Sequence, residues 1–395
     1  MNEASIPFPI LPGNWLGMIG GGQLGRMFCH AAQSMGYKVA VLDPDPHSPA
    51  GAVADMHIKT GYDDVNGLAQ LSGRCKAITT EFENVPAESL RTLAAASLVR
   101  PAAQAVAIVQ DRIREKAFIA DAGVPLAPYA AIHTADDIAT APDTLFPGIL
   151  KAARLGYDGK GQARVVNREQ ALQAFADIGA SCVLEALLPL ASELSVVMAR
   201  GADGHTVYYP SAQNEHRDGI LAVSTVDAWP PALPMAAQAA KAAKAALAIA
   251  DGLQYVGVLC VEFFVLQDGT LVANEIAPRP HNSGHFTMDA SISSQFEQQV
   301  RVTAGLPLGS TASLCPVVML NLLGDVWFDP ATDTMRDPDW ATVLAIPGVK
   351  LHLYGKAEAR RGRKMGHINV LGATLADANT AAAQVAQVLG IPFQS

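Results

Sequence analysis

The sequence predicts a mixed fold, α/β at its N-terminal end and α+β beyond. Three observations predict it. Apolar, strand-like runs alternate with helical stretches up to about Arg100, the pattern of a parallel sheet. Long strand runs then follow around glycine-rich turns, with one alanine-rich helix. After about Gly305 short strands return, and the chain closes in a helix.

Each element has its own signal. "WLGMIG" reads as a first strand, "LGRMFCHAAQSMG" as a helix stopped at Gly36, and "YKVAVLD" as a second strand. "CKAITTEFENVP" is a third strand closing in a turn. "QDRIREKAFIADAGVP" is a helix ended by Gly123 and Pro125, and the first boundary falls there. "FPGILKAARLGYDGKGQARVV" gives two apolar strands around a glycine-rich connection. "CVLEALLP" and "SELSVVMARG" are further strands, and "PMAAQAAKAAKAALAIADGL" is the alanine-rich helix. "YVGVLCVEFFVLQDGTLVANEIAPR" is a hairpin. "VVMLNLLG" and "VKLHLYG" are the late strands, and "ANTAAAQVAQVLG" is the last helix.

Composition narrows the function. With 395 residues the chain has room for two or three domains of about 150 residues each. Half the residues are hydrophobic, enough to fill packed cores. The five cysteines show no C-x-x-C spacing, so neither a zinc site nor a disulfide framework is expected, and a reduced cytoplasm is. An early Glu3 and the lack of a basic stretch before an apolar one argue against a signal peptide. No apolar run approaches the roughly 18 residues of a membrane helix. A net charge of −9 argues against general nucleic-acid binding. A local basic cluster at Arg360, Arg361, Arg363 and Lys364 still suits a small anion.

Four stretches carry chemistry. Gly20-x-Gly22-x-x-Gly25, followed by Asp43 at the end of the second strand, is a dinucleotide fingerprint. Alone it is weak, and no hydride-transfer residues follow it. Backbone N–H groups at a helix N-terminus hold any phosphate, so the fingerprint by itself does not select NAD. Next, Lys151 precedes "GYDGKGQ" at 156–162, a loop free to take positive φ and bring N–H groups and Lys160 to a polyphosphate. An ordinary flexible turn reads the same way. Third, Asp268-Gly269 signals a two-residue turn in the hairpin. That turn sets Gln267 against Thr270 and Glu262 against Glu275. Facing carboxylates in apolar surroundings cost stability, so they share a proton or hold a hard divalent cation. A different turn would separate them. Asn274 offers a further oxygen. Last, "APRPHNSGH" leaves the strand after Glu275, and Arg279 can fork onto a small oxyanion. His281 and His285 lack the further ligands a zinc site needs.

With these residues in view, the chain resembles the ATP-grasp ligases along nearly its whole length. More narrowly it is similar to the N5-carboxyaminoimidazole ribonucleotide synthetase family of purine biosynthesis. The matching stretches are "GGGQLGRM", "TTEFENVP", "GYDGKGQ", "NEHRDGIL", "YVGVLCVEFF", "NEIAPRPHNSGH" and "GRKMGHINV". The resemblance implies a Rossmann-like pre-ATP-grasp domain over 1–115, an ATP-grasp domain over 116–303 and a small β-rich C-terminal domain over 304–395. It implies carboxylation of 5-aminoimidazole ribonucleotide by bicarbonate, with ATP as co-substrate and Mg²⁺ (or Mn²⁺) as cofactor. A cytoplasmic homodimer is expected, with no nucleic-acid or membrane partner.

Residue by residue, the resemblance gives ATP contacts to Arg112, Lys151, Glu193, His216 and Asn274. It adds the loop Gly156, Tyr157, Asp158, Gly159, Lys160, Gly161 and Gln162. It also adds Glu185, Ala186, Leu187 and Leu188, with Glu185 accepting from adenine or ribose and the rest offering backbone contacts. Glu262 and Glu275 hold the metal, Glu275 also touching nucleotide. Arg279, His281, Asn282 and Ser283 line the bicarbonate site. Lys356, grouped with these catalytic residues, faces the ribonucleotide together with Arg363, Lys364, Tyr157 and Asp158. Gly21, Gly22, Gln23 and Leu24 lie over that substrate. The rivals are a formate-using transformylase or a biotin carboxylase, which "HNSGH" and "GRKMGH" disfavour. An NAD-dependent oxidoreductase and a non-catalytic nucleotide-binding protein complete the set.

Overall fold

The computed structural model describes residues 9–156, 161–227, 235–329 and 331–393. The first part is a five-stranded parallel sheet. Its strands are β1 (Trp15–Ile19), β2 (Lys38–Leu42), β3 (Met56–Ile58), β4 (Ala77–Thr80) and β5 (Leu98–Val99), ordered β3-β2-β1-β4-β5. The three strands read from sequence are β1, β2 and β4. β3 and β5 are too short to show a pattern. The Gln23–Ser34 helix starts straight after β1, across Gly20 at φ +99°, a conformation that favours glycine.

A small antiparallel sheet follows, ordered β6-β9-β7-β8, from β6 (Tyr129–Ile132), β7 (Gly148–Ala152), β8 (Gln162–Val165) and β9 (Cys182–Ala186). The Arg112–Asp121 helix precedes it, capped by Asp111, whose side chain accepts from the N–H groups of Ile113 and Arg114.

The third sheet has nine strands and positions the site. They are β10 (Leu190–Arg200), β11 (Thr206–Tyr208), β12 (Ala212–Arg217), β13 (Ile220–Val226), β14 (Gly257–Leu266), β15 (Leu271–Ala277), β16 (Val317–Leu323), β17 (Val349–Leu353) and β18 (Lys364–Leu371). The order is β15-β14-β10-β12-β13-β16-β18-β17, with β11 paired to β10. The C-terminal strands thus continue the sheet of the middle part instead of forming one of their own. One face is apolar. Leu194, Val196, Val261 and Phe263 pack on Ala242, Ala246 and Ile249 of the Met235–Gly252 helix. Further along, Val318, Leu320, Ile368 and Val370 pack on Ala378, Ala382 and Val385 of the Leu375–Leu389 helix. The other face carries a polar row in cross-strand register. Glu275 faces Glu262, Glu262 faces Ser195, and Asn214 faces Glu193 on one side and Ser224 on the other.

That row explains why β12 and β18 escape the sequence reading. "AQNEHR" and "KMGHINV" put charged and amide residues where a buried strand would be apolar, because that face lines the site. The Gln295–Ala304 helix escapes for a similar reason. Its Gln299 is buried, donating to Thr79 Oγ1 (3.1 Å), and so ties this helix to β4.

Candidate functional site

Glu262 and Glu275 face each other across β14 and β15, but not by way of the expected turn. The Leu266 N–H donates to Thr270 O (2.8 Å) and Gly269, at φ +81°, donates to Leu266 O (2.9 Å). The loop is therefore three residues, Gln267 to Gly269, which moves the ladder one step so that Phe263 faces Ala273. Asn274 is then the extra residue of a bulge that restores the step between Phe263 and Glu262. The bulge leaves Asn274 Oδ1 buried with no protein partner beside the acid pair.

Burial pushes the Glu262 carboxyl above its ordinary range, with the Glu193 and Glu275 charges adding to it and His216 opposing. Glu275 Oε2 lies 3.1 Å from Arg112 Nη1. Glu115, buried within reach of the Glu275 charge, accepts the Ile276 N–H (2.7 Å). Sequence reasoning missed Glu115 and Lys116. The signal was present, since Arg112, Glu115 and Lys116 stand at i, i+3 and i+4 of one helix face.

Lys116 Nζ and Lys151 Nζ lie 3.2 and 3.1 Å from the same oxygen of Glu185. Burial pushes Glu185 up, but the two ammonium groups outweigh it and hold the carboxyl below its ordinary range. Glu185 is thus turned onto the lysines, where the expectation had it free for adenine or ribose. The Ala186 and Leu187 N–H groups are also committed, to Pro128 O and Pro147 O (both 2.9 Å). Leu187 is exposed beside them, and Leu188 is half-buried. Glu193 Oε2 and His216 Nδ1 sit 2.6 Å apart. Gly156 lines a pocket with Arg112, Glu115 and Glu275. Gly161, at φ +70°, returns the loop to Gln162, which pairs with Lys151. Tyr157, Asp158, Gly159 and Lys160 lie outside the described residues.

The loop after β15 closes the other side. Arg279 Nε donates to Glu83 Oε2 (2.5 Å), an acid that sequence reasoning quoted within a motif but gave no role. One edge of the guanidinium is therefore taken, and Nη1 also reaches Pro280 O (3.1 Å). His281 Nε2 lies 3.4 Å from Glu262 Oε1, and its Nδ1 meets Ser283 Oγ at 2.8 Å. Both polar atoms of the buried Asn282 lack protein partners. A buried amide with nothing to bond is what a ligand-binding position leaves behind. The His285 ring packs against that of His367, tilted by 33° with centroids 4.6 Å apart.

The glycine loop departs most from expectation. The Gly21 N–H donates to Asp43 Oδ2 (2.7 Å), which also accepts from Tyr62 (2.6 Å). The Gly22 and Gly25 N–H groups donate to the two oxygens of Glu81 (2.5 and 2.7 Å). Two buried carboxylates occupy the anion position at this helix N-terminus, so Gly21 and Gly22 do not offer their N–H groups to a phosphate. Asp43, bound on both sides, is not available to a ribose as a dinucleotide enzyme requires. In the first turn, Gln23 and Leu24 N–H remain. Leu24 and Met27 pack on Tyr354, which brings the segment holding Lys356 against the loop. Lys356 Nζ donates to Lys364 O (2.7 Å), and the Lys364 charge reaches Glu262 and His281. Arg363 donates to Glu358 O (3.0 Å). The four-residue basic cluster read from sequence divides, because Arg360 pairs with Glu358, and Arg361 with Asp325 and Asp333, on the exposed side. No helix among the described residues is long and apolar enough to cross a membrane.

Three family models match the chain. They are a ribonucleotide synthetase pre-ATP-grasp domain at 14–110, an ATP-grasp domain at 117–296 and a phosphoribosylaminoimidazole carboxylase C-terminal domain at 317–381. The chain is 46% identical over 361 residues to an N5-carboxyaminoimidazole ribonucleotide synthase of Brucella melitensis, covering 90% of this chain and 96% of that one. It is 42% identical to the Bacillus subtilis synthase of the same name, covering 92% of each. Its structure is similar to an ADP complex of an N5-carboxyaminoimidazole ribonucleotide synthetase (TM-score 0.89, 39% identity, 97% of this chain and 99% of that one). It is also similar to an Aspergillus clavatus synthase in complex with ADP and 5-aminoimidazole ribonucleotide (TM-score 0.85, 30% identity, 95% and 98%).

Proposed function

The chain belongs to the N5-carboxyaminoimidazole ribonucleotide synthase family of ATP-grasp ligases, and from that premise we propose how its residues divide the reaction. The reaction is carboxylation of 5-aminoimidazole ribonucleotide by bicarbonate, with ATP converted to ADP and phosphate, in purine biosynthesis. One observation carries the assignment of roles. The facing carboxylates Glu262 and Glu275 share one surface with the Arg279–Ser283 loop, His281 being 3.4 Å from Glu262.

Bicarbonate is a poor electrophile and must be activated. Its oxygen attacks the γ-phosphate of ATP, ADP leaves, and carboxyphosphate forms. This breaks to CO₂ and phosphate beside the ribonucleotide amine, which attacks the carbon and gives up its proton to the phosphate just released. The protein supplies position and charge, as in other phosphoryl transfers. Lys116, Lys151 and Arg112 face the phosphates, and the Arg279 Nη groups with His281 and Asn282 hold the bicarbonate. Lys356, Arg363, Lys364 and the loop at Gln23 and Leu24 hold the ribonucleotide. The acid pair and the unpartnered Asn274 oxygen suit Mg²⁺, which typically takes one or two carboxylates and the rest from phosphate and water. When bound there it would offset phosphate charge. Residues 1–115 hold the ribonucleotide, 116–303 the nucleotide, and 304–395 close over both. The working form is a cytoplasmic homodimer.

The test is phosphate release from ATP by the whole chain. Release should require both bicarbonate and 5-aminoimidazole ribonucleotide for its full rate. Release at the same rate with neither present would refute the reading.

A further inference from the structure

A chain of side-chain hydrogen bonds runs across the site face of the nine-stranded sheet and ends on His281. Ser224 Oγ donates to Asn214 Oδ1 (2.7 Å). Asn214 Nδ2 donates to Ser195 Oγ (3.0 Å), and Ser195 Oγ donates to Ser283 Oγ (2.7 Å). Ser283 Oγ meets His281 Nδ1 at 2.8 Å. Three strands, β10, β12 and β13, and the loop after β15 contribute, and Ser195, Asn214, Ser224 and Ser283 are all buried. None of the first three is needed to hold the strands together, since the ladders are backbone. A buried polar row in place of apolar packing calls for a reason.

The direction of the chain follows from the Asn214 amide, whose nitrogen faces Ser195. An amide nitrogen only donates and a hydroxyl has one proton to give. Asn214 therefore donates to Ser195, whose proton goes to Ser283, and of the two acceptors open to the Ser283 proton, His281 Nδ1 at 2.8 Å is far nearer than Cys260 Sγ at 3.9 Å. Independently, the Ser283 backbone N–H donates to His281 Nδ1 (3.3 Å). Two donors converge on Nδ1, so Nδ1 carries no proton. The ring proton then sits on Nε2, the nitrogen facing Glu262.

We propose that Ser195 and Asn214, steadied by Ser224, are positioning residues that lock His281 as its Nε2–H tautomer. His281 then enters the reaction as a hydrogen-bond donor to the activated bicarbonate, and not as the base that takes the amine proton. This role for His281 rests on the function proposed above. The tautomer itself rests only on the hydrogen-bond geometry. The logic is that of a carboxylate orienting a catalytic histidine, carried here by neutral groups.

The test uses the full chain labelled with ¹⁵N-histidine, with His281 assigned by its loss in His281→Gln. Long-range proton–nitrogen spectra near neutral pH should show an unprotonated Nδ1 and a protonated Nε2. Asn214→Asp keeps the shape but accepts where asparagine donates. The Ser195 proton then turns to residue 214, the Ser283 proton turns to Ser195, and the His281 proton should move toward Nδ1. Ser195→Ala cuts the relay without adding charge, and covers the case in which Asn214→Asp does not fold. It should lower kcat for carboxylation about tenfold, the scale of one lost hydrogen bond, with KM for ATP unchanged. A wild-type His281 protonated on Nδ1, alone or together with Nε2, overturns the proposal. So does an Nε2–H tautomer that Asn214→Asp leaves in place while Ser195→Ala keeps full kcat. The spectra decide the tautomer even if the wild type fails to carboxylate, so the two readings fail separately.

Discussion

Glu262 stands opposite Glu275 only because Asn274 is inserted between them and the turn. A regular ladder from this three-residue loop would set Glu262 against Asn274. The bulge therefore builds the like-charged pair and leaves the Asn274 oxygen beside it. Glu275→Gln replaces one of two anionic ligands by a neutral amide. Ligase activity should fall by roughly 10²-fold, the scale of losing one well-placed charge. The protein should still unfold cooperatively, because relief of the like-charge pair offsets the partner that Arg112 loses. Unchanged activity at saturating Mg·ATP would remove Glu275 from the metal site.

Glu185 lies between Lys116 and Lys151, and all three side chains are largely buried. Glu185→Gln would leave two buried ammonium groups without a counter-charge. Urea unfolding should show a loss of about 3 kcal/mol, within the range for breaking a buried pair. A residue whose only task is to meet adenine would change nucleotide affinity and leave stability alone.

A Cβ built on Gly22 would lie 2.4 Å from Glu81 Oε1. Gly22→Val must therefore displace the carboxylate that holds the loop. KM for the ribonucleotide should rise by roughly tenfold or more, a shift of about 1.4 kcal/mol, while KM for ATP changes little. Equal rises in both constants would place the loop elsewhere than over the ribonucleotide.

Burial raises the Glu81 carboxyl to about 7, with the Gly25 and Gly22 N–H groups opposing the shift. A group raised in the folded state favours folding while protonated. That contribution is complete below the unfolded value of 4.5 and is lost as pH rises through about 7. The loss is on the order of 3 kcal/mol. Glu81→Gln lacks this dependence. The stability difference between wild type and variant should therefore shift against the wild type between pH 4.5 and pH 7. Parallel stability curves would mean that Glu81 is ionised throughout.

Much of this was legible in the sequence where one rule governs. The alternation of strands and helices gave β1, β2 and β4, and the hairpin gave the Glu262–Glu275 pairing. The pairing was right although the turn was not, because the bulge at Asn274 cancels the one-residue shift of the longer loop. Nothing local in "LVANEIA" announces a bulge. The occupants of the glycine loop were hidden for another reason. Glu81 reaches Gly22 and Gly25 across the sheet, a contact set by the β1–β4 pairing and not by sequence spacing. The polar row of Ser195, Asn214 and Ser224 likewise exists only once three strands are in register.

In the function proposed above, the loop after β15 holds activated bicarbonate until the amine takes it. Arg279→Lys keeps the charge but loses both the fork and the Nε bond to Glu83. Nucleotide affinity should change little, while kcat for carboxylation falls by roughly 10²-fold. The measurement is the ratio of phosphate released to carboxylated product, for wild type and variant, at saturating ATP, bicarbonate and ribonucleotide. The ratio should be near one for the wild type, and phosphate should exceed product for the variant, as carboxyphosphate escapes to water. A ratio that stays at one in the variant, at the wild-type rate, would contradict that role for the loop.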